Sequence, residues 1–216
     1  LGDTILFSHV AERFAGLAEP GEKVTILLRG DGAKTAFLLP EGWEVITIDF
    51  PRFRKNMSYR SEQSMMLYRR HFRLVVSTDF LRHPEIDERM MLACAAPQTI
   101  AMTAKPWAKY AAALAEHEKR FSRVWDSGPV LQDKMLRWAA FADWLTGDAS
   151  PPPVLPLPQG RLPEPTEFGQ PTVLIQAFSA VKQKQWPASN YAALLDRLPA
   201  GVAVRFLGAP GELDAN

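Results

Sequence analysis

The stretch VKQKQWPASNYAALLDRLPAGVAVRFLGAPGE, residues 181–212, decides how this chain is read. A lysine-rich loop meets Trp186 and Pro187 and runs into PASNYAALLDRL, whose apolar residues recur at helical spacing. A turn at Pro199 to Gly201 follows, then the β-branched run VAVRFLG closing on glycine. Just upstream, TVLIQAF (172–178) reads as another strand. Strand, loop, helix, strand is a βαβ unit, in which parallel strands are joined by right-handed helical crossovers. In an open sheet of this kind, ligands sit at the carboxyl ends of strands, where helix N-termini present unpaired N–H groups and a positive dipole end. Ser179, Lys182 and Lys184 stand there, and a lysine backed by a helix N-terminus suits a phosphate. From spacing alone, a solvated basic loop is the plainer reading. Gly208 and Glu212 follow the second strand. A carboxylate at that place can accept hydrogen bonds from a ribose or sugar hydroxyl, and a glutamate on a surface turn explains it equally well.

The same alternation extends toward the N-terminus. Ile5, Leu6, Val10, Phe14 and Leu17 predict a helix over 3–17, with Asp3 placed to cap it. KVTILLRG (23–30), WEVITIDF (43–50) and FRLVVSTDF (72–80) predict buried strands, the last preceded by a helical SYRSEQSMMLYRRH (58–71). Residues 105–145 read as long aromatic-rich helices, whose aromatic stripe suits packing better than ligand binding. GDASPPPVLPLPQGRLPEPTEFGQP (147–171) is proline-rich and aperiodic, and so predicts a stiff, extended linker. The expected organisation is an N-terminal α/β domain over 1–148, a linker over 149–170 and the start of a second α/β domain over 171–216. The chain begins at Leu1 in what reads as a strand-to-helix turn, so its strand is expected upstream.

Composition narrows the classes. With 47% hydrophobic residues over 216 positions a sizeable core is expected. The net charge of +1 argues against a general nucleic-acid binder, which carries a basic excess on one face. Cys94 is the only cysteine, so there is no intramolecular disulfide, and MLACAAP around it reads as core. No apolar run reaches membrane-spanning length and no signal peptide opens the sequence, which gives the expectation of a cytoplasmic protein. The histidines lack HxxH-like spacing, so no metal site is expected. Walker, GxGxxG and GxSxG motifs are absent.

Three further groups could carry chemistry. Asp3 follows Gly2 where a strand should hand over to the first helix; a carboxylate facing a cleft there could act as general base, and a capping role is compatible with it. Asp79, Arg82 and His83 cluster after a strand and could bind an acceptor, or form a solvated loop with an Asx-type turn. Arg52, Arg54 and Lys55 with Phe50 and Phe53 form a basic-aromatic segment that could touch a membrane surface peripherally, or simply be solvated.

Taken together, the Gly-Asp start at 2–3, KQWP at 184–187, NYAALL at 190–195 and GAPGE at 208–212 resemble the bacterial ADP-heptose:lipopolysaccharide heptosyltransferases, glycosyltransferase family 9. The resemblance implies a GT-B fold of two Rossmann-like domains facing a cleft, the second truncated here, and a metal-independent inverting transfer without a cofactor. It implies Asp3 as catalytic base, Lys184 and Glu212 on an ADP-heptose-like donor, with Ser179 beside them by its loop position, and a lipopolysaccharide or surface-glycan acceptor at the cytoplasmic side of the inner membrane. QAFS at 176–179 replaces the family's His-Pro-Gly-like turn. A nucleotide-sugar epimerase or a non-catalytic binding subunit on the same fold is the alternative.

Overall fold

The first fifteen residues do not make the continuous helix that their apolar spacing predicts. α1 (Gly2–Ser8) ends where the Ser8 hydroxyl donates to Ile5 O at 2.7 Å, and α2 (Ala11–Ala15) restarts after the buried Val10. Across the break, the amides of His9 and Val10 reach back only three residues, to Leu6 O and Phe7 O, the tight winding that a serine bonding its own helix backbone promotes. The computed structural model describes residues 2–154, 157, 159–179 and 182–208. The chain divides into two compact units at Leu162 and Pro163.

In the first unit, β1 (Thr25–Arg29) pairs in parallel with β2 (Glu44–Ile48), joined through a 3-10 segment at Gly32–Leu38. The chain then enters α3 (Phe50–Lys55) and α4 (Met57–Tyr68). Asp49 Oδ1 accepts from Arg52 N and Asn56 Oδ1 from Tyr59 N, both at 2.9 Å, so each helix starts on its own side-chain cap. β3 (Leu74–Ser77), α5 (Asp87–Ala93), β4 (Gln98–Met102), α6 (Ala111–Glu118), β5 (Arg123–Trp125) and α7 (Lys134–Thr146) complete it. β3, β4 and β5 form a second parallel sheet in that order. Asp133 caps α7, and Gly147 closes it at φ 79°, a left-handed conformation that suits glycine.

Side-chain alternation sorts this unit into three layers. Ile26, Leu28, Leu74, Val76, Ile100 and Met102 face a core with Phe7, Val10, Phe14, Trp138 and Phe141 from α1, α2 and α7. Leu27, Ile46, Ile48 and Val75 face the opposite core with Phe53, Leu67, Met90 and Cys94 from α3, α4 and α5. Burial pushes the Cys94 thiol up to about 11, as expected of an inert core residue.

Two expectations need correction here. Residues 105–145 are not two long helices: α6 spans only eight residues, and the aromatic RVW at 123–125 is a strand on the edge of the β3-β4-β5 sheet. The segment at 50–55 is a capped helix, and its aromatic residues turn inward: Phe53 is fully buried and Phe50 packs on the same core. The basic side chains there are occupied as well, Arg54 with Glu85 at 3.0 Å and Arg52 over the Tyr59 ring at 4.3 Å. Among the described residues, no helix is long and apolar enough to cross a membrane.

Part of the proline-rich stretch belongs to the first unit. Arg161 pairs with Glu12 at 2.6 Å and donates to Leu38 O at 3.1 Å, and Arg13 donates to Pro151 O. In the second unit, β6 (Thr172–Gln176) pairs in parallel with β7 (Ala203–Leu207), with α8 (Ala188–Leu195) as the crossover. Tyr191 holds this unit together by its ring edges, meeting Trp186 at 5.1 Å and Phe206 at 6.0 Å.

Candidate functional site

In the first unit, polar side chains gather on the loops that follow β3, β4 and β5 and at the start of α1. Asp3 sits in the first turn of α1 with 74% of its side chain exposed. Its carboxylate meets Lys134 Nζ at 2.9 Å. Lys134 opens α7, which is fixed by the Asp133 cap, and lies 4.9 Å over the Trp138 ring. Trp138 Nε1 donates to Thr78 O at 2.5 Å, just past the end of β3. A chain of contacts therefore runs from Asp3 through Lys134 and Trp138 to the β3 loop. Behind Asp3, the approach of Gly32 to α1 is close: a Cβ there would stand 2.6 Å from Thr4 Oγ1, so a larger residue would force Thr4 or α1 to shift.

The Asp79, Arg82, His83 cluster separates into three environments. Asp79 Oδ1 accepts from Leu81 N at 2.8 Å, an Asx turn that fixes the loop. His83 is partly buried. Its Nδ1 accepts from Glu85 N at 3.1 Å, which leaves the proton on Nε2 to be donated to Tyr110 Oη at 3.1 Å. The Tyr110 ring is 4.6 Å away and Trp107 meets His83 edge-on at 6.4 Å. Burial, reinforced by the nearby Arg54 charge, holds the imidazole below its ordinary range, so His83 is a neutral donor near pH 7.

Arg82 does not reach the surface, which corrects the expectation that it could contact an acceptor. Its side chain is 0% exposed, 5.0 Å over the Phe121 ring, with Glu88 at 3.6 Å and Glu118 at 3.7 Å. None of its three guanidinium nitrogens makes a hydrogen bond among the described residues. Glu88 is equally buried and accepts from His117 Nδ1 at 2.6 Å. Burial pulls the Arg82 pKa down and pushes that of Glu88 up. Next to them, Asp87 accepts from His83 N at 2.7 Å, and burial with the neighbouring Asp79 charge raises its carboxyl to about 6.

Lys134, Trp107 and Tyr110 are site residues that sequence reasoning missed. All three fall inside the stretch read as long helices, Trp107 and Tyr110 just ahead of α6 and Lys134 at the start of α7. Recognising RVW as a strand would have placed Lys134 at the carboxyl end of the sheet.

In the second unit, Lys182 and Lys184 lie exposed on one 3-10 turn (Lys182–Lys184) between β6 and α8. Ser179 O accepts from Gln185 Nε2 at 2.8 Å, and Gln176 Nε2 donates to Phe178 O at 3.2 Å, so the QAFS turn and the lysine loop are tied together. Pro187 precedes α8, whose first turn has no side-chain cap. Asn190 N donates to Pro187 O at 2.9 Å, so among the described residues the N–H groups of Ala188 and Ser189 are the ones left for another acceptor. Glu212 lies outside the described residues. Among the described residues no group of three or more histidine, cysteine or acidic side chains is arranged to hold a metal ion.

No family model matches the sequence, and no curated protein matches it. Solved structures do. A glycosyl transferase family 9 protein from Veillonella parvula superposes over 99% of this chain with a TM-score of 0.71 at 15% identity. The fold is shared with family 9 glycosyl transferases. It is α/β and GT-B-like, and the likeness extends to E. coli heptosyltransferase WaaC, solved with ADP, over 98% of the chain with a TM-score of 0.64 at 17% identity. The chain spans 61% and 65% of the lengths of those two proteins.

Proposed function

We propose that this chain belongs to an inverting glycosyltransferase that moves a sugar, heptose or a relative of it, from a nucleotide diphosphate donor to a lipopolysaccharide or surface-glycan hydroxyl. The observation that carries the reading is Asp3. It is an exposed carboxylate at the first turn of α1, held by Lys134 at 2.9 Å, on a fold shared with family 9 glycosyl transferases. In this reading Asp3 takes the proton of the acceptor hydroxyl as that oxygen attacks the anomeric carbon. The bond from that carbon to the diphosphate oxygen breaks, and the nucleoside diphosphate leaves with the negative charge. Lys184 and the open N–H groups of α8 take up that charge, the work a metal ion does in other transferases, and Glu212 meets the donor ribose. Ser179 contributes to the donor loop. Asp79 and His83 remain on the acceptor side, His83 as a neutral N–H donor. That the WaaC structure holds ADP supports an adenine nucleotide as the donor's leaving group. The site is read as cytoplasmic, with any membrane contact peripheral.

Calorimetric titration of the natural protein with ADP, GDP and UDP, with and without a chelator, tests the donor half. One nucleotide binding equally in both conditions, and at least about tenfold more weakly in Lys184→Ala, fits the reading. Binding of none, or binding indifferent to Lys184, overturns it.

A further inference from the structure

The aromatic residues between 105 and 145 do not share one role. Trp125, Trp138, Phe141 and Trp144 pack on the core with α1 and α7, and Phe121 packs with Met91 and Ala101. Trp107 and Tyr110 belong to no core cluster among the described residues. They sit half-buried on the loop between β4 and α6 and meet each other at 5.5 Å, tilted by 36°. His83, from the loop after β3, completes a cluster of three rings, 4.6 Å from Tyr110 and 6.4 Å from Trp107. Large rings kept at the surface, outside any core, mark a contact surface. Both loops follow the carboxyl ends of parallel strands, where ligands of open sheets sit.

The backbone that carries the rings is pinned. Thr103 N donates to Trp125 O and Lys105 N to Phe80 O, each at 2.8 Å, and Tyr110 N donates to Trp107 O at 2.9 Å to close the turn between the two rings. Rings fixed in advance lose little freedom when a ligand arrives. Their polar neighbours have a definite chemistry. His83 Nε2 donates to Tyr110 Oη at 3.1 Å, and among the described residues that hydroxyl has no other partner, so its own proton is left to donate. Lys109 Nζ stands 5.2 Å over the Tyr110 ring with no acidic partner among the described residues, whereas Arg54, the other cation whose charge reaches His83, is paired with Glu85 at 3.0 Å.

These groups match a sugar. The C–H face of a pyranose packs on an aromatic ring while its rim of hydroxyls takes hydrogen bonds from a donor such as Tyr110 Oη. A cationic ligand would meet Lys109, and the tilted rings offer a flat base no parallel slot. We infer that Trp107, Tyr110 and Lys109 form a saccharide platform, which takes a sugar ring on its C–H face, donates to one of its hydroxyls from Tyr110 Oη and favours a carboxylate or phosphate substituent through Lys109. That this sugar is part of the acceptor rests on the proposed transferase reading; the platform itself does not.

The test incorporates 5-fluorotryptophan into the natural protein and follows the fluorine NMR signal of Trp107, identified by its loss in Trp107→Phe. Glucuronate, glucose 6-phosphate and methyl glucoside are titrated without nucleotide. We expect all three to shift the Trp107 signal, the two acidic sugars saturating at about three- to fivefold lower concentration, the range of an exposed charge pair. Lys109→Met should erase that preference, and Tyr110→Phe should weaken all three sugars by about two- to tenfold, the range of one hydrogen bond. No shift with any sugar, or an equal shift with inorganic phosphate and acetate, overturns the platform. Saturation by AMP at lower concentration than by glucose 6-phosphate overturns the saccharide assignment in favour of a nucleobase. A preference for acidic sugars that survives Lys109→Met overturns the part given to Lys109. Sugar binding here in a protein that transfers no sugar supports the platform and overturns only its assignment to an acceptor.

Discussion

Replacing Arg82 by methionine tests the buried charge network most sharply. Arg82 and Glu88 are both fully buried, with Nε and Oε1 3.6 Å apart, so removing the guanidinium leaves a carboxylate in the interior with His117 as its closest remaining partner. Breaking a buried pair by deleting one member costs about 3–5 kcal/mol, because the survivor is left uncompensated. Here the 2.6 Å hydrogen bond from His117 persists and the methionine stem still packs on Phe121, so we expect the lower end, about 3 kcal/mol at pH 7. Burial already raises the Glu88 pKa and the Arg82 charge lowers it, so the variant raises it further. Glu88 in the variant takes up a proton as pH falls, and the cost should shrink by pH 5. The assay is urea unfolding at both pH values, followed by the fluorescence of Trp125, Trp138 and Trp144. Arg82→Met combined with Glu88→Gln should recover part of the loss. A loss below about 1 kcal/mol at pH 7, in the range of an exposed ion pair, would refute the burial of this pair and return Arg82 to the surface.

Asp87→Asn should stabilise the protein above pH 6 and give little at pH 4. The folded carboxyl is raised to about 6, so the native state holds a proton that the unfolded chain has lost, and stability falls as pH rises from about 4 through 6. The bound on the gain is about 3 kcal/mol, since a tenfold change in proton affinity is worth about 1.4 kcal/mol, and thermal melts across pH 4–8 measure it. Gly32→Ala should cost about 1–3 kcal/mol, because its Cβ would meet Thr4 Oγ1 at 2.6 Å and push α1 from its seat; chemical denaturation checks this. Lys134→Met should change stability by less than about 1 kcal/mol, as the Asp3 partner is largely exposed. Under the proposed mechanism it should nonetheless lower transfer, read as a fall in kcat with KM for the donor unchanged.

Much of this fold is legible in the sequence because its strands are β-branched runs between turn residues. TILLR, EVITI, LVVS, TVLIQ and AVRFL all stand where periodicity puts them. The elements that escape include the buried strand β4, QTIAM at 98–102, which the sequence reading does not pick out, and several that are short or ambiguous. β5 has three residues embedded in aromatic sequence, and α1 and α2 share one helical period that Ser8 interrupts through its own backbone bond. The site is half legible. Lys184 can be placed ahead of α8 from spacing, and the Asx turn at Asp79 is a local event that sequence can suggest. The partners of Asp3 and Arg82 are not, because Lys134, Glu88 and Phe121 come from other elements and only packing brings them in. Nothing in FLRHPE distinguishes an arginine bound for the interior from one bound for solvent.

The most direct test of the central claim is Asp3→Asn in the natural protein, assayed for sugar transfer to a lipopolysaccharide-type acceptor alongside nucleotide binding by calorimetry. The proposed base predicts a loss of transfer of about 10² to 10⁴-fold, the range of general base catalysis, with nucleotide affinity unchanged. Transfer that survives the substitution within about tenfold, below that range, would contradict Asp3 as the base.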